Sequence, residues 1–442
     1  MVLTEKQKDD LHKAILEYLR NNGFEKTFAQ FKDETKIPES EVPTDSILEK
    51  KWVSIIRLQK KIDELQSKLE QIKEESSTTG KLRLLGKDTA SDHLLQMPEK
   101  QTLEGHRGQI TKLLFHPVYS LLVSASEDAS IKVWDVETGK PEKSLKGHAG
   151  VVNSLSFNAT GTLLASASSD LTIKLWNFQT FECTKTLQGH DHDISDVCLL
   201  PSGDHLVSAS RDKTIKLWEI STGFCIKTFT GHNDWVRRVT VHPQLPIMAS
   251  GSKDQTIIIW DLSLGQKAGT SDSAAIQKVL NEHTHVIEAI VFANVNANRT
   301  IAKSEYYVKL MNQGIISEPG KEEEEVKHKL EGKKQVTSQV FLASCSRDKL
   351  IKIWDVKDGR VVVTLTGHDD WVRDLIFHPN GKYLISVSDD KSIRMWDLLT
   401  GRCIKKMAEA HNSFIPCIDI SEKYWVAATG SANNVIKLWQ CS

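Results

Sequence analysis

A histidine, a serine and an aspartate recur together along this chain, as in His106, Ser124 and Asp128, and these are the components of a nucleophilic hydrolase triad. In that chemistry the histidine takes the hydroxyl proton as the serine attacks a carbonyl, while the aspartate fixes the imidazole tautomer. A tryptophan changes the reading, because its indole N–H needs a buried acceptor that the serine hydroxyl can supply. Repetition decides between the two. Gly-His pairs at 105, 147, 189 and 231 stand 42 residues apart, and Trp134, Trp176, Trp218 and Trp260 each follow their histidine by 28 residues. His368 with Trp396 and His411 with Trp439 keep that interval, whereas His283 and Trp354 lie 71 apart, which adds 43 residues to the unit. Seven copies of one active site serve no purpose, and the chain has no GxSxG nucleophile elbow.

The expectation is therefore a non-enzyme whose four-residue sets are structural. Beside the first, they are His148, Ser166, Asp170, Trp176; His190, Ser208, Asp212, Trp218; His232, Ser250, Asp254, Trp260; His283, Ser344, Asp348, Trp354; and His368, Ser386, Asp390, Trp396. An orphaned member of such a network costs about 1–3 kcal/mol. The seventh unit has Thr429 and Asn433 in the Ser and Asp places, so His411 is expected to meet a neutral amide in the loosest unit.

These sets need a scaffold. Segments such as LLVSAS and SIKVWD, split by short polar turns, read as strands, and four fit in each unit. A four-stranded unit cannot cover both its faces, so units must stack, and closing the ring removes unpaired ends. The pattern resembles the WD-repeat family and implies an all-β seven-bladed propeller over residues 99–442. The chain ends after the third strand of the last unit, and Lys100–Glu104 resembles the missing outer strand, so the start of the ring should pair with its end. An insertion at about 293–335 of unit five, with its EEEE run, is expected to be disordered, and a shorter one lies near 264–275.

Ahead of the ring, an α-helical hairpin is expected within residues 1–40, turning at Asn21-Asn22-Gly23, with Leu11, Ile15, Tyr18, Leu19, Phe24, Phe28 and Phe31 in apolar stripes. So small a hairpin needs a second copy to hide its apolar face. Residues 47–75 read as a short coiled coil with Ile55, Leu58, Ile62, Leu65, Leu69 and Ile72 at its seam, interrupted by Lys51 and weak alone. Residues 76–98 read as a flexible linker, so the expected assembly is a homodimer carrying two rings.

Composition bounds the partners. With 57 basic and 58 acidic residues the net charge is −1, which disfavours nucleic acid held by a global basic field. No apolar run reaches the roughly 18 residues of a membrane span. Seven cysteines without a CxxC pair argue against a zinc site and a disulfide framework, so no metal or cofactor is expected, and they read as small buried hydrophobes in a reducing compartment.

Comparing the units with one another separates scaffold from recognition. The residue before the tetrad aspartate reads Glu127, Ser169, Arg211, Lys253, Arg347, Asp389 and Ala432; the third residue after the histidine reads Gln109, Val151, Asp193, Trp235, Val286, Trp371 and Phe414. Two residues beyond the tryptophans of units four and six come Arg237 and Arg373. Strand alternation puts both loop types on one face, so Arg211, Trp235, Arg237, Lys253, Arg347, Trp371, Arg373 and Lys391 are expected to form one arc for a protein partner.

The order of hairpin, coil and ring, with the stretches EKKWVSIIRLQKK, SASEDASIKVWD, GDHLVSASRDKTIKLWE and GHDDWVR, resembles the lissencephaly or nuclear-distribution family over the whole chain. Leu11, Ile15, Tyr18-Leu19, Gly23-Phe24, Thr27 and Phe31 likewise resemble the LisH dimerisation motif. The resemblance implies a regulator of cytoplasmic dynein that binds the heavy-chain motor domain through the ring's top face, with contacts mapping onto Arg211, Arg237, Arg347, Trp371 and Lys391. It also implies NudE-type coiled-coil partners, acetylhydrolase catalytic subunits in animals, and a place in the cytoplasm on the cytoskeleton, centrosome and spindle. A nuclear or ubiquitin-ligase scaffold is the alternative, although the chain shows no basic import cluster and no F-box-like segment.

Overall fold

The computed structural model describes residues 5–35, 94–265, 275–313 and 339–441. The chain divides into two compact units, 1–90 and 91–442. In the first, helix α1 (Glu5–Asn21) and helix α2 (Glu25–Thr35) meet at Gly23, whose φ of +76° is a left-handed conformation that glycine adopts without strain. Leu16 is fully buried against Phe28 and Phe31 and forms the hairpin's small core, a role the sequence reading did not assign to it. Ile15 and Leu19 are partly buried, while Tyr18 and Phe24 stay 38% and 51% exposed, and Leu11 lies on α1. The coiled-coil seam from Ile55 to Ile72 lies outside the described residues.

The second unit is a ring of seven four-stranded antiparallel sheets. Blade one runs β2 (Ile110–Phe115), β3 (Leu121–Ser126), β4 (Ser130–Asp135) and β5 (Pro141–Lys146). Its second strand, LLVSAS, is buried almost throughout because both of its faces meet neighbouring blades, while the outer strand buries only Leu145 and otherwise meets water. No blade has a private core: one cluster joins Val207 and Leu217 of blade three to Val236, Met248 and Trp260 of blade four. The cysteines depart from the expected burial, since Cys183, Cys225 and Cys403 sit exposed on outer strands. An outer strand has one wet face, and a small side chain there has nothing to pack against.

Blade seven is assembled from both ends of the ring. Strand β1 (Gln101–Glu104) pairs antiparallel with β28 (Val435–Gln440), setting Gln101 opposite Leu438 and Glu104 opposite Val435. The seam begins earlier than expected. Leu95 is fully buried and bridges Cys441, and the Gln96 N–H donates to the Gln440 carbonyl at 3.0 Å. Residues from Leu95 onward thus belong to the ring, although the sequence placed 95–98 in the expected linker, whose stretch 76–93 lies outside the described residues.

The insertion in blade five corrects a second expectation. Its first part is ordered as helices Val295–Ala302 and Glu305–Asn312, capped by the side chains of Asn294 and Ser304. Ala297, Ile301 and Tyr307 enter the core shared with blade six, and the Tyr306 hydroxyl donates to the Leu398 carbonyl. Caps and an apolar stripe of this kind stabilise even two-turn helices once a neighbouring blade accepts the stripe. The EEEE run lies outside the described residues.

Two backbone features position the top face. The turn between second and third strands carries a left-handed residue at the same place in all seven blades: Ala129, Leu171, Lys213, Gln255, Lys349, Lys391 and Asn434, with φ between 61° and 71°. In blades one to six the first strand carries a β-bulge at its second residue, leaving Thr111, Asn153, Ser195, Arg237, Glu288 and Arg373 outside the ladder. A bulge re-aims its side chain. Blade seven has Pro416 there.

Candidate functional site

Each apparent triad is a buried brace. In blade one the Trp134 indole donates to Ser124 Oγ at 2.8 Å, that hydroxyl meets His106 Nε2 at 2.7 Å, and His106 Nδ1 meets Asp128 Oδ2 at 2.9 Å. The same carboxylate oxygen accepts the Arg107 N–H at 2.9 Å, and its other oxygen accepts the Ser130 N–H at 3.0 Å. One aspartate therefore ties the loop before the first strand to the left-handed turn. The serine is fully buried, so no substrate reaches it. Burial lowers the His106 pKa against the pull of Asp128 and keeps the ring neutral. Burial alone would raise Asp128, but hydrogen bonds from Ser130, Arg107 and His106 hold it well below the usual carboxylate range.

Blades two to six repeat this geometry, and blade seven does not. Trp439 and His411 both meet Thr429 Oγ1 at 2.8 Å, yet His411 Nδ1 is buried without a hydrogen-bond partner among the described residues. The expected contact with the Asn433 amide is absent. Asn433 keeps the turn, its N–H donating to Ser431 Oγ, and Asn434 is left-handed like its counterparts. An amide offers one acceptor oxygen where a carboxylate offers two, and Val435 replaces the hydroxyl residue that steadies Asp128, Asp170, Asp212, Asp254 and Asp390.

The two columns compared in the sequence are joined in space. In every blade the N–H of the residue before the tetrad Asp or Asn donates to the carbonyl of the third residue after the histidine, as in Arg211 to Asp193, Lys253 to Trp235 and Asp389 to Trp371, each at 2.9 Å. The arc follows. Trp235 lies half-buried with Arg211 of blade three over its ring at 4.9 Å and Lys253 at 4.2 Å. Trp371 repeats the arrangement, with Arg347 of blade five at 4.3 Å and Arg373 at 4.9 Å. Arg237 joins through a carboxylate. Lys391 stands apart: it is exposed on its turn, and its side chain forms no hydrogen bond or ion pair with the described residues.

The carboxylates that hold the arc were missed. Glu288 is 5% exposed and takes Arg237 at 2.7 Å, Arg347, and Arg373 at 3.6 Å, joining blades four, five and six. Burial opposes its charge, but Arg237 and Arg347 outweigh that and hold its pKa at about 2. Arg373 is also gripped by Asp389, and Arg211 pairs with Asp193 at 2.9 Å. The signal was available, since Glu288 occupies in unit five the column that holds Arg237 and Arg373 in units four and six.

Residues 5–40 match the family model described as the PAC1 LisH domain. The WD domain, G-beta repeat model matches 97–135, 139–177, 181–219, 223–261, 324–355 and 359–397. It thus covers the strand Gln101–Glu104 of blade seven but omits the outer strands of blades four and six (Ile276–Leu280 and Cys403–Met407), the first strand of blade five (Ile287–Phe292), and the other three strands of blade seven, from Cys417 to Gln440. Among full-length proteins the chain is similar to the Lissencephaly-1 homolog of Dictyostelium discoideum, 57% identical over all of both chains. It is 56% identical to that of Heterostelium pallidum, again over all of both, and 58% identical to that of Branchiostoma floridae over 86% of each.

Proposed function

The chain belongs to the Lissencephaly-1 family of LisH and WD-repeat regulators, and on that premise we propose that it is a dimeric, non-catalytic regulator of cytoplasmic dynein that docks the motor domain with its top face. The observation that carries this reading is the pair of tryptophans, each held between two cations on one rim of the ring. Indoles clamped in this way are rigid, present apolar area beside charge, and lose little entropy on docking. Asp193, Glu288 and Asp389 hold the cationic side chains in place, so an acidic partner surface meets a preorganised array.

Dimerisation supports the same reading, because Tyr18 and Phe24 leave apolar area uncovered on each hairpin. Two linked rings bind with an avidity that one lacks, and binding shifts the motor's conformational balance only by its differential affinity for the two states. The site of action is then the cytoplasm and its microtubule cytoskeleton, with NudE-type proteins as further partners. The test is capture of the dynein motor domain by the full chain and by its Arg347→Ala, Trp371→Ala double variant. Capture should be lost in the variant while its thermal unfolding stays cooperative. Retained capture removes this face from the docking reading.

A further inference from the structure

We propose that the mouth of the central channel binds a phosphate-class oxyanion. The six bulged residues and Pro416 surround a cavity of about 140 Å³ at the top end of the channel. Six buried side-chain polar atoms lack a hydrogen-bond partner among the described residues, and three of them, Ser195 Oγ, Arg211 Nε and Arg237 Nε, belong to residues lining this cavity. A guanidinium N–H can only donate, so these positions call for an acceptor.

The walls offer few. The carboxylates are occupied, Glu288 by Arg237 and Arg347, Asp193 by Arg211, Asp196 and Asp374 by Arg238, and Asp389 by Arg373, so the uncharged carbonyl acceptors among the lining side chains are the amide oxygens of Gln109 and Asn153. Four arginines, Arg211, Arg237, Arg238 and Arg373, line the cavity with Glu288 as the one carboxylate in the lining, and each guanidinium is paired to a carboxylate with donors to spare. A tetrahedral oxyanion presents acceptor oxygens in several directions and carries the complementary charge, whereas a planar carboxylate presents two in one plane. Charge-assisted bonds of this type are the strong ones. The site does not rest on docking, although Arg211 and Arg237 serve both surfaces.

The test is isothermal titration calorimetry of the full chain, at constant ionic strength in chloride, with orthophosphate, pyrophosphate and O-phosphoserine. Saturable binding is expected, weakened by at least about tenfold in Arg211→Gln and by about three- to tenfold in Ser195→Val. Arg299→Gln, on the insertion helix Val295–Ala302, should leave it unchanged. The tightest of the three probes identifies the source as a free ion, a polyphosphorylated small molecule or a phosphorylated side chain. Thermal unfolding in chloride alone checks that each variant folds, and if Arg211→Gln does not, Ser195→Val decides. Absence of saturable binding by all three probes overturns the proposal, as does binding that neither substitution weakens.

Discussion

Blade two and blade seven carry the same brace, but blade seven has Asn433 for the carboxylate of Asp170 and Val435 for the hydroxyl of Thr172. In both, a tryptophan indole and a histidine Nε2 share a buried hydroxyl, Ser166 in one and Thr429 in the other, at 2.7–2.9 Å. In blade two His148 Nδ1 continues to Asp170 at 2.8 Å, and that carboxylate also accepts the Ala149 and Thr172 N–H groups. In blade seven the chain of hydrogen bonds stops at His411. The incomplete brace falls in the blade whose outer strand comes from the other end of the ring. Six blades are locked by their own loops, whereas the seventh depends on what the seam contributes.

Removing the seam is the largest perturbation of that contrast. Deleting residues 94–104 takes away β1 together with Leu95 and Leu103, which are 0% and 1% exposed and worth roughly 2–3 kcal/mol each. Urea unfolding should then lose at least about 4 kcal/mol or become non-cooperative, with blade seven losing hydrogen-exchange protection first. An unchanged midpoint would show that blade seven holds without its fourth strand.

Exchanging the distinctive residue probes the contrast more finely. Asp170→Asn makes blade two resemble blade seven and should cost about 2–3 kcal/mol, since it orphans His148 and weakens the ties to Ala149 and Thr172. The reciprocal Asn433→Asp should gain about 1–2 kcal/mol by giving His411 Nδ1 an acceptor. Equal effects of opposite sign would make the carboxylate the whole difference between the blades. A smaller gain in blade seven is expected, because Val435 offers no hydroxyl to the new carboxylate.

Much of the ring was legible because repetition supplies its own comparison: spacing of His, Asp and Trp gave seven blades, the closing strand and the arc around Trp235 and Trp371. The missing pieces are those that one-dimensional spacing does not encode. Leu95 looked like linker because its partner Cys441 is at the far end of the chain. Helix Val295–Ala302 looked like loop because the stripe of Ala297 and Ile301 is short and gains meaning only against blade six. Glu288 was overlooked because a lone acid reads as solvated until bulges turn Arg237 and Arg373 towards it. The bulges themselves leave no sequence signature beyond a fixed offset from the histidine.

The smallest predicted effect is also the most specific to His411. Burial and the nearby Lys437 ammonium lower its pKa from 6.5 to about 3, with Glu99 pulling weakly the other way while paired to Lys437 at 2.9 Å. The unfolded chain therefore binds a proton that the folded chain refuses, and this group's stabilising contribution, complete above pH 6.5, declines as the pH falls towards 3. Asn433→Asp should raise the His411 pKa, so the variant's stability advantage should widen between about pH 6.5 and 4.5, then shrink as the new carboxylate protonates. Urea titrations of both proteins at half-unit steps from pH 7.5 to about 4 measure that difference directly. Because His106, His148 and His368 are lowered in both proteins alike, they cancel in the subtraction. A difference that stays flat across the range would mean that His411 is already satisfied in the native ring, and the contrast between blades two and seven would then lie in the seam alone.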